Sequence, residues 1–331
     1  MRIRSLKARK IFASNSQETI EVDVETGKGT VRASVPIGTS RGRAEVAYFP
    51  ADKALNKLML IRRHFTSEEF GDQKEVDETL HIIDKTLDFS DIGGNVALAI
   101  SSGFLKAFAL ESGKEVYEHL GGNSMPRPIG NIVGGWKGQS DIQEFLLLPV
   151  HQTSFAESMQ KILAAYHKIG ELLKWHDAGF RFAKNLESAW VTKLKFVKIL
   201  ELMKNVANEH LLKIGLDFAA SHIYNAMKYI YSTGEKLGRT EQLSLVEDLA
   251  RRYPIIYLED PFQEDDFVSF GTLNNDLSGK LVVGDDLYAS NVERLKTGLA
   301  YKATNGVIIK PSQIGTITDM INFLKTAKQN Q

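Results

Sequence analysis

Four apolar, β-branched runs between Leu211 and Gly315 each end in charged side chains. LLKIGLD ends at Asp217, PIIYLED at Glu259 and Asp260, KLVVGDD at Asp285 and Asp286, and GVIIK at Lys310. Such a run, bounded by turn or helix signals, reads as a buried strand. In a (β/α) barrel, the strand ends are where catalytic and metal-binding groups gather, held rigidly while the loops vary. Asp217, Glu259 and Asp285 would then converge on one point although they are far apart in sequence. Hard oxygen ligands without His or Cys suit Mg²⁺, with Mn²⁺ as the alternative, far better than Zn²⁺. The plainer reading is a set of carboxylates capping the helices that follow, for which Asp286 is itself a candidate. On the metal reading, Lys310 lies across the mouth, and a buried lysine near cations has a lowered pKa and can act as a base. That is the requirement for taking a proton from carbon next to a carboxylate, with the metal holding the resulting dianion by charge.

The elements that would position these groups alternate strand and helix to the end of the chain, which implies a parallel sheet with right-handed crossovers. About five or six strands of this type follow residue 128, whereas a closed barrel has eight, so the barrel is expected to be incomplete at its C-terminal end. Upstream, IQEFLLLPV reads as a strand with Glu144 in its early part, and an acid beside a continuous apolar run is costly to bury unless paired or ligated. Two amphipathic helices are expected, over SFAESMQKILAAYHKIGELLKWHDAG and NLESAWVTKLKFVKILELMKNVANE, with their aromatic residues in the core. GEKLGRT reads as a connecting turn. MPRPIGNIVGG, rich in Pro and Gly, marks the crossing between domains. Before it, residues 5–50 alternate as an antiparallel hairpin, PIGTSRG forms a loop with hydroxyls at its tip, and residues 51–120 have helical spacing. The expected class is α/β: an α+β domain over 1–125 and a (β/α) barrel over 126–331.

Composition narrows the partners. The 331 residues carry 41 basic and 41 acidic side chains, for a formal net charge of +0. That balance argues against a nucleic-acid groove or a membrane-surface face and favours a small-molecule partner. No cysteine is present, which excludes disulfides and thiolate chemistry and fits a cytoplasmic setting. The basic N-terminus lacks an apolar run behind it, and no stretch has the length of a membrane span.

The motifs LKIGLDFAAS, YLEDPFQEDDF, VVGDDLYASN and IIKPSQIG resemble the barrel motifs of the enolase family, whose members dehydrate 2-phosphoglycerate to phosphoenolpyruvate. ARKIFASNSQETIEVDV resembles the family's N-terminal strand segment, SVPIGTSRGRAE its mobile serine loop, and IQEFLLLPV the barrel strand that carries a catalytic carboxylate. The likeness spans nearly the whole chain. Carried over position by position, it implies Asp217, Glu259 and Asp285 as metal ligands and Lys310 as the proton-abstracting base, since the enolase superfamily pairs a Lys or His base with Mg²⁺. It also implies Ser40 at a second, substrate-bridged magnesium and Glu144 as one of two glutamates assisting departure of hydroxide. Gln143 and Lys137 fall at substrate-binding positions, and Gln313 flanks the base. The implied substrate is a small phosphorylated carboxylate, and the implied assembly is a homo-oligomer. An incomplete barrel would expose strand edges that invite pairing, and a second chain could complete it.

The sequence also departs from the family. Where the family reads Gly-Asp-Glu-Gly-Gly this chain reads HDAGF, placing Ala178 where the second acid belongs. The loop that carries a histidine in the family is shortened to GGWKGQSD, leaving Trp136 and Lys137 near its place, and PIGTS puts Ile37 where a serine stands. The family's final segment, with its His-Arg-Ser phosphate grip and second lysine, has no counterpart before Gln331. These departures leave three expectations: an enolase-type lyase whose missing groups come from a second chain or from Lys137, His151 or His176; an enolase-like binding or assembly protein without catalysis; or another metal-assisted proton abstraction next to a carboxylate.

Overall fold

The computed structural model describes residues 1–38, 42–135, 141–150 and 154–330. Strands β1 (Ser5–Phe12), β2 (Glu18–Glu25) and β3 (Thr30–Ser34) form an antiparallel sheet. The expected hairpin thus gains a third strand. Helices α1 (Ala51–Ile61), α2 (Arg63–Thr66), α3 (Gln73–Ile83), α4 (Gly94–Ser112) and α5 (Val116–His119) follow. Strict alternation in β2 sends Ile20, Val22 and Val24 into the core, each with no exposed surface. The other face of the same strand carries Glu21 and Asp23. Arg9 on β1 grips both, 2.6 Å from Glu21 and 2.7 Å from Asp23, and Arg32 on β3 reaches Asp23 at 2.8 Å. Helix α4 lies almost wholly buried on the apolar face, because Gly103 lets it approach β2: a Cβ there would stand 2.9 Å from Val24 and 3.2 Å from Val22.

The second sheet is built from β4 (Gly130–Gly134), β5 (Glu144–Pro149), β6 (Leu212–Asp217), β10 (Ile255–Glu259), β11 (Leu281–Gly284) and β12 (Gly306–Val307), in spatial order β12-β11-β10-β6-β5-β4. Helices α6 (Phe155–His176) and α7 (Phe196–Glu209) separate β5 from β6. A small antiparallel sheet of β7 (Tyr224–Asn225), β8 (Lys228–Ile230) and β9 (Lys236–Leu237) precedes α8 (Arg239–Arg252). Helix α9 (Phe267–Asp276) joins β10 to β11, and α10 (Val292–Tyr301) joins β11 to β12. The connection between β4 and β5 is too short for a crossover helix, so these strands pair antiparallel; β5 and β6 also pair antiparallel, across the long connection that holds α6 and α7. Only β6, β10, β11 and β12 form the expected parallel set. The ladder therefore joins six strands among the described residues, against the eight of a closed barrel.

The second amphipathic helix also starts later than its sequence spacing predicts, at Phe196 rather than near Asn185. Asn185 instead folds the chain into a turn, its side-chain oxygen accepting the backbone N–H groups of Glu187 and Ala189, both at 3.0 Å. Ser188 has a φ of 65°, and Trp190 is drawn into the core, its indole N–H donating to the Tyr166 carbonyl at 2.9 Å. Such local side-chain bonding offers the backbone an alternative to helix.

By their contacts the residues group into two compact units. Met1–Ser124, Tyr288–Leu295 and Ile308–Gln331 make one, and Met125–Leu287 with Lys296–Val307 the other. The chain's last helices, α11 (Pro311–Ile314) and α12 (Ile317–Asn330), thus belong with the first unit instead of extending the second. The reason is specific. Ser101 Oγ accepts the Ile317 N–H at 2.9 Å, and the Asp77 carboxylate accepts the Thr318 N–H at 2.9 Å and its hydroxyl at 2.6 Å. Side chains of α4 and α3 thereby satisfy the orphan donors that open α12, and Ile317 joins the apolar core of that unit. Among the described residues, no helix is long and apolar enough to cross a membrane.

Candidate active site

In the second unit, strand register aligns three acids. Glu144 on β5 is the Cα partner of Asp217 on β6, and Asp217 is the partner of Glu259 on β10. Because β5 runs opposite to β6, the first residue of β5 meets the last residue of β6. Backbone bonds continue past the strand ends: the Gln143 N–H donates to the Asp217 carbonyl at 2.9 Å, the Phe218 N–H to Glu259 at 3.0 Å, and the Asp260 N–H to Val283 at 3.1 Å. These bonds fix the segment in which the acids stand.

Asp217 is buried, and it accepts the Ala219 N–H at 2.9 Å and the Gln143 side-chain amide at 3.2 Å. Burial, and then the charges of Glu259, Glu144 and Asp260, push its carboxyl well above the ordinary range. Glu259 is buried too, and the Tyr257 hydroxyl donates to its carboxylate. Tyr257 stands two residues earlier on the same side of β10. Its ring fits because Gly215 faces it, where a Cβ would lie 3.1 Å from the ring and 2.8 Å from Leu148. Burial and the neighbouring Glu259 push the Tyr257 hydroxyl far up, so it stays a donor. Asp260 is buried with a φ of 40°, and both its oxygens accept from the turn after β11: the Asp285 N–H at 3.1 Å and the Asp286 N–H at 2.6 Å. Burial and the charges of Asp286, Asp285 and Glu259 raise its pKa well above the usual value.

At the helices that follow β10 and β11, residues other than the strand-end acids bond first-turn N–H groups. The N–H of Ser269 in α9 is bonded by Asp266, and the first-turn N–H groups of Glu293 and Arg294 in α10 by Asn291. The donor set is hard oxygen, and a buried acid such as Asp217, whose proton affinity neighbouring carboxylates raise, is the chemistry that a divalent cation relieves. Asp217 and Glu259 therefore fit Mg²⁺ in ligand type and charge. No group of three or more Asp, Glu, His or Cys among the described residues is spaced to hold an ion as the side chains stand. Asp285 is half-buried at the end of β11.

Lys310 differs from its sequence expectation. The strand ends at Val307, Lys310 itself is exposed, and it precedes Pro311 in an extended conformation with φ −125° and ψ 109°. Proline disfavours the helical region for the residue before it, and this places Lys310 at the start of α11 and not inside a buried strand. It belongs to the first unit. There its N–H donates to Ser290 Oγ at 3.0 Å, Ser290 donates to the buried Gln313 amide oxygen at 2.8 Å, and the Gln313 amide donates to Glu45 at 3.3 Å. Gln313 is thus a fastening of the lysine's backbone. Gln143, expected to bind substrate, is bonded to Asp217. Ser40, Lys137, Trp136 and His151 lie outside the described residues. Sequence reasoning passed over Tyr257 and the role of Asp260. The signals were present, a tyrosine two residues before an acid and a paired acid after it, but only the fold shows what each touches.

Residues 3–120 match the family model described as enolase, N-terminal domain, and residues 122–331 match that described as enolase, C-terminal TIM barrel domain. The chain belongs to the enolase family. It is 37% identical over 352 residues to an enolase of Methanosphaera stadtmanae, covering 99% of this chain and 84% of that protein. Enolases of Picrophilus torridus and Haloarcula marismortui are each 35% identical over 344 residues; the first alignment covers 99% of this chain and 86% of the relative, the second 98% and 85%. Family membership extends across both halves of the chain. In this enolase-family chain Ala178 is exposed, and its carbonyl accepts from Arg181 at 2.9 Å. Its methyl group cannot donate a proton.

Proposed function

We propose that this chain carries out the enolase reaction, removal of water from 2-phosphoglycerate to give phosphoenolpyruvate, at a reduced rate. The observation that carries the reading is the rung Glu144–Asp217–Glu259, acids brought opposite one another by the β5–β6–β10 register. Asp217, Glu259 and Asp285 are the residues proposed to hold Mg²⁺, with Ser40 as a ligand of a second ion. When bound, the cation supplies positive charge for the substrate carboxylate. Lys310, exposed and next to Pro311, is the proposed base for the proton on carbon next to that carboxylate. Glu144 is the proposed acid for the departing hydroxide, and Lys137 and Gln143 serve on the substrate and Asp217 side. The reduced rate follows from Ala178, since loss of a general acid costs about 10²–10⁴ in rate. A homo-oligomer in the cytoplasm completes the proposal, and light scattering that shows a monomer contradicts that part of it.

The test is phosphoenolpyruvate absorbance with purified protein, Mg²⁺ and 2-phosphoglycerate, using Lys310→Ala as control. Turnover that disappears in the variant supports the reading, and no turnover by the wild type alongside measurable Mg²⁺ binding refutes it. Ala178 favours a second reading, a family member that binds the ion and an anion without turnover. Exchange of the proton on carbon next to the carboxylate, without dehydration, would instead identify a different reaction of the same class.

A further inference from the structure

A cavity of about 630 Å³ in the second unit is lined by Asp177, Gly179, Phe180, Arg181, Ala183, Val191, Thr192, Lys193 and Ser232. Its size is that of a small-ligand pocket, for which roughly 300–1,000 Å³ is usual. Two cations border it; neither Arg181 nor Lys193 has a carboxylate within ion-pair distance among the described residues, and the Lys193 charge acts on Asp177 of the same lining, so the pocket carries a net charge of about +1. Arg181 uses one guanidinium nitrogen, Nη1, on the Ala178 and Phe180 carbonyls, both at 2.9 Å. The single acid of the lining is occupied. Asp177 accepts the Thr192 hydroxyl at 2.6 Å and the N–H groups of Lys193 and Gly179, each at 2.9 Å. The Thr192 hydroxyl, then the Lys193 and Gly179 N–H groups and the Lys193 charge, hold its carboxyl below the usual value against burial. Phe180, Ala183 and Val191 add apolar surface to the wall beside the Thr192 and Ser232 side chains.

Both walls are tied to the end of the sheet that carries the acid rung. The residues preceding Val191 are joined to β4 through the Gly134 N–H to the Trp190 carbonyl at 3.1 Å and the Trp190 N–H to Ile132 at 2.9 Å. Ser232 is fastened to Asp141, N–H at 2.6 Å and hydroxyl at 2.9 Å, two residues before Gln143 and three before Glu144. We infer that this pocket seats the phosphate of a small phosphorylated carboxylate through Arg181 and Lys193, two residues to which the family resemblance gives no role. The naming of the phosphate's carrier rests on the proposed reaction; the anion site itself does not.

The experiment is a ³¹P NMR titration of the full chain with inorganic phosphate, for the wild type, Arg181→Gln, Lys193→Gln and the double variant. Lys204→Gln on the exposed face of α7 serves as control. Both target side chains are exposed, so the variants are expected to melt as the wild type does. Saturable binding weakened about tenfold or more by either substitution, as for loss of a charge-assisted contact, and unchanged in Lys204→Gln, supports the site. No saturable binding, or binding that the two substitutions leave unchanged, overturns it. Parallel turnover assays separate the two proposals. Phosphate binding that responds to the variants without wild-type turnover leaves the pocket standing and removes the reaction. Turnover whose KM ignores both substitutions, with unaltered phosphate binding, does the reverse.

Discussion

Replacing Asp77 by alanine tests what holds the C-terminal helix, and with it the segment that follows Lys310. Asp77 is 1% exposed and accepts from the Ser101 hydroxyl, from the Thr318 N–H and hydroxyl, and from the Gln73 amide at 3.1 Å to each oxygen. Once the carboxylate is gone, the half-buried Thr318 hydroxyl and Gln73 amide can turn to water. The Thr318 N–H cannot, because it is pinned in the first turn of α12. One buried donor left without an acceptor costs about 1–3 kcal/mol, the same range as loss of a helix cap. Burial pushes the Asp77 pKa up, so removing the charge returns part of that cost and the expected net loss is about 2 kcal/mol. Hydrogen exchange read by mass spectrometry on the peptide from Thr316 to Asn330 is the assay. Local opening of that size corresponds to roughly 30-fold faster exchange. Exchange within about twofold of wild type in α12, with the rest of the chain unchanged, would show that the bond network is not what fastens the helix.

Gly103→Ala sets helix propensity against packing: alanine gains up to about 1 kcal/mol in a helix interior, but overpacking a core costs about 1–3 kcal/mol. With Val24 only 2.9 Å from the new Cβ, the variant is expected to melt lower than the wild type, and an equal or higher melting temperature contradicts the close approach of α4 and β2. His81 bonds Asp319 at 2.8 Å, and this contact first, opposed by burial, raises the His81 pKa above 6.5. A raised pKa means stability that is complete below the unfolded value and is lost as pH rises through the folded one. Melting temperatures taken across neutral pH should therefore fall with rising pH by more in the wild type than in His81→Asn, and identical slopes would refute the pairing. Ala178→Glu returns a carboxyl to the position of the second family acid, and turnover is expected to rise by about 10²-fold or more; an unchanged rate in a folded variant places the proton donor elsewhere.

Several features were legible without coordinates because their causes are local. An apolar run ending in an acid is visible as a string, and Asp217 and Glu259 do end their strands. The amphipathic helix expected from Ser154 does begin there, with Ser154 accepting the Glu157 N–H at 3.1 Å and α6 starting at Phe155. The failures share a cause as well. The helix expected from Asn185 had the right apolar spacing, but Trp190 found a long-range partner in Tyr166 and the Asn185 side chain supplied a competing turn. Lys310 followed a strand-like run, yet strand length depends on ladder partners. Here β12 pairs with β11 only at Gly306 and Val307.

The sequence by itself determined the family, the acids at the strand ends and the alternation that builds the second sheet, because motif chemistry and side-chain period are properties of neighbours along the chain. Tertiary structure alone decided that Glu144, Asp217 and Glu259 share one rung, since an antiparallel β5 beside a parallel pair is a matter of connection length and register. It also decided that Asp77 and Ser101 bind the first turn of α12, and that Asp177 is occupied while Arg181 and Lys193 border a cavity. Those outcomes depend on which polar groups meet after burial, and a buried group takes whichever partner the packing brings within reach.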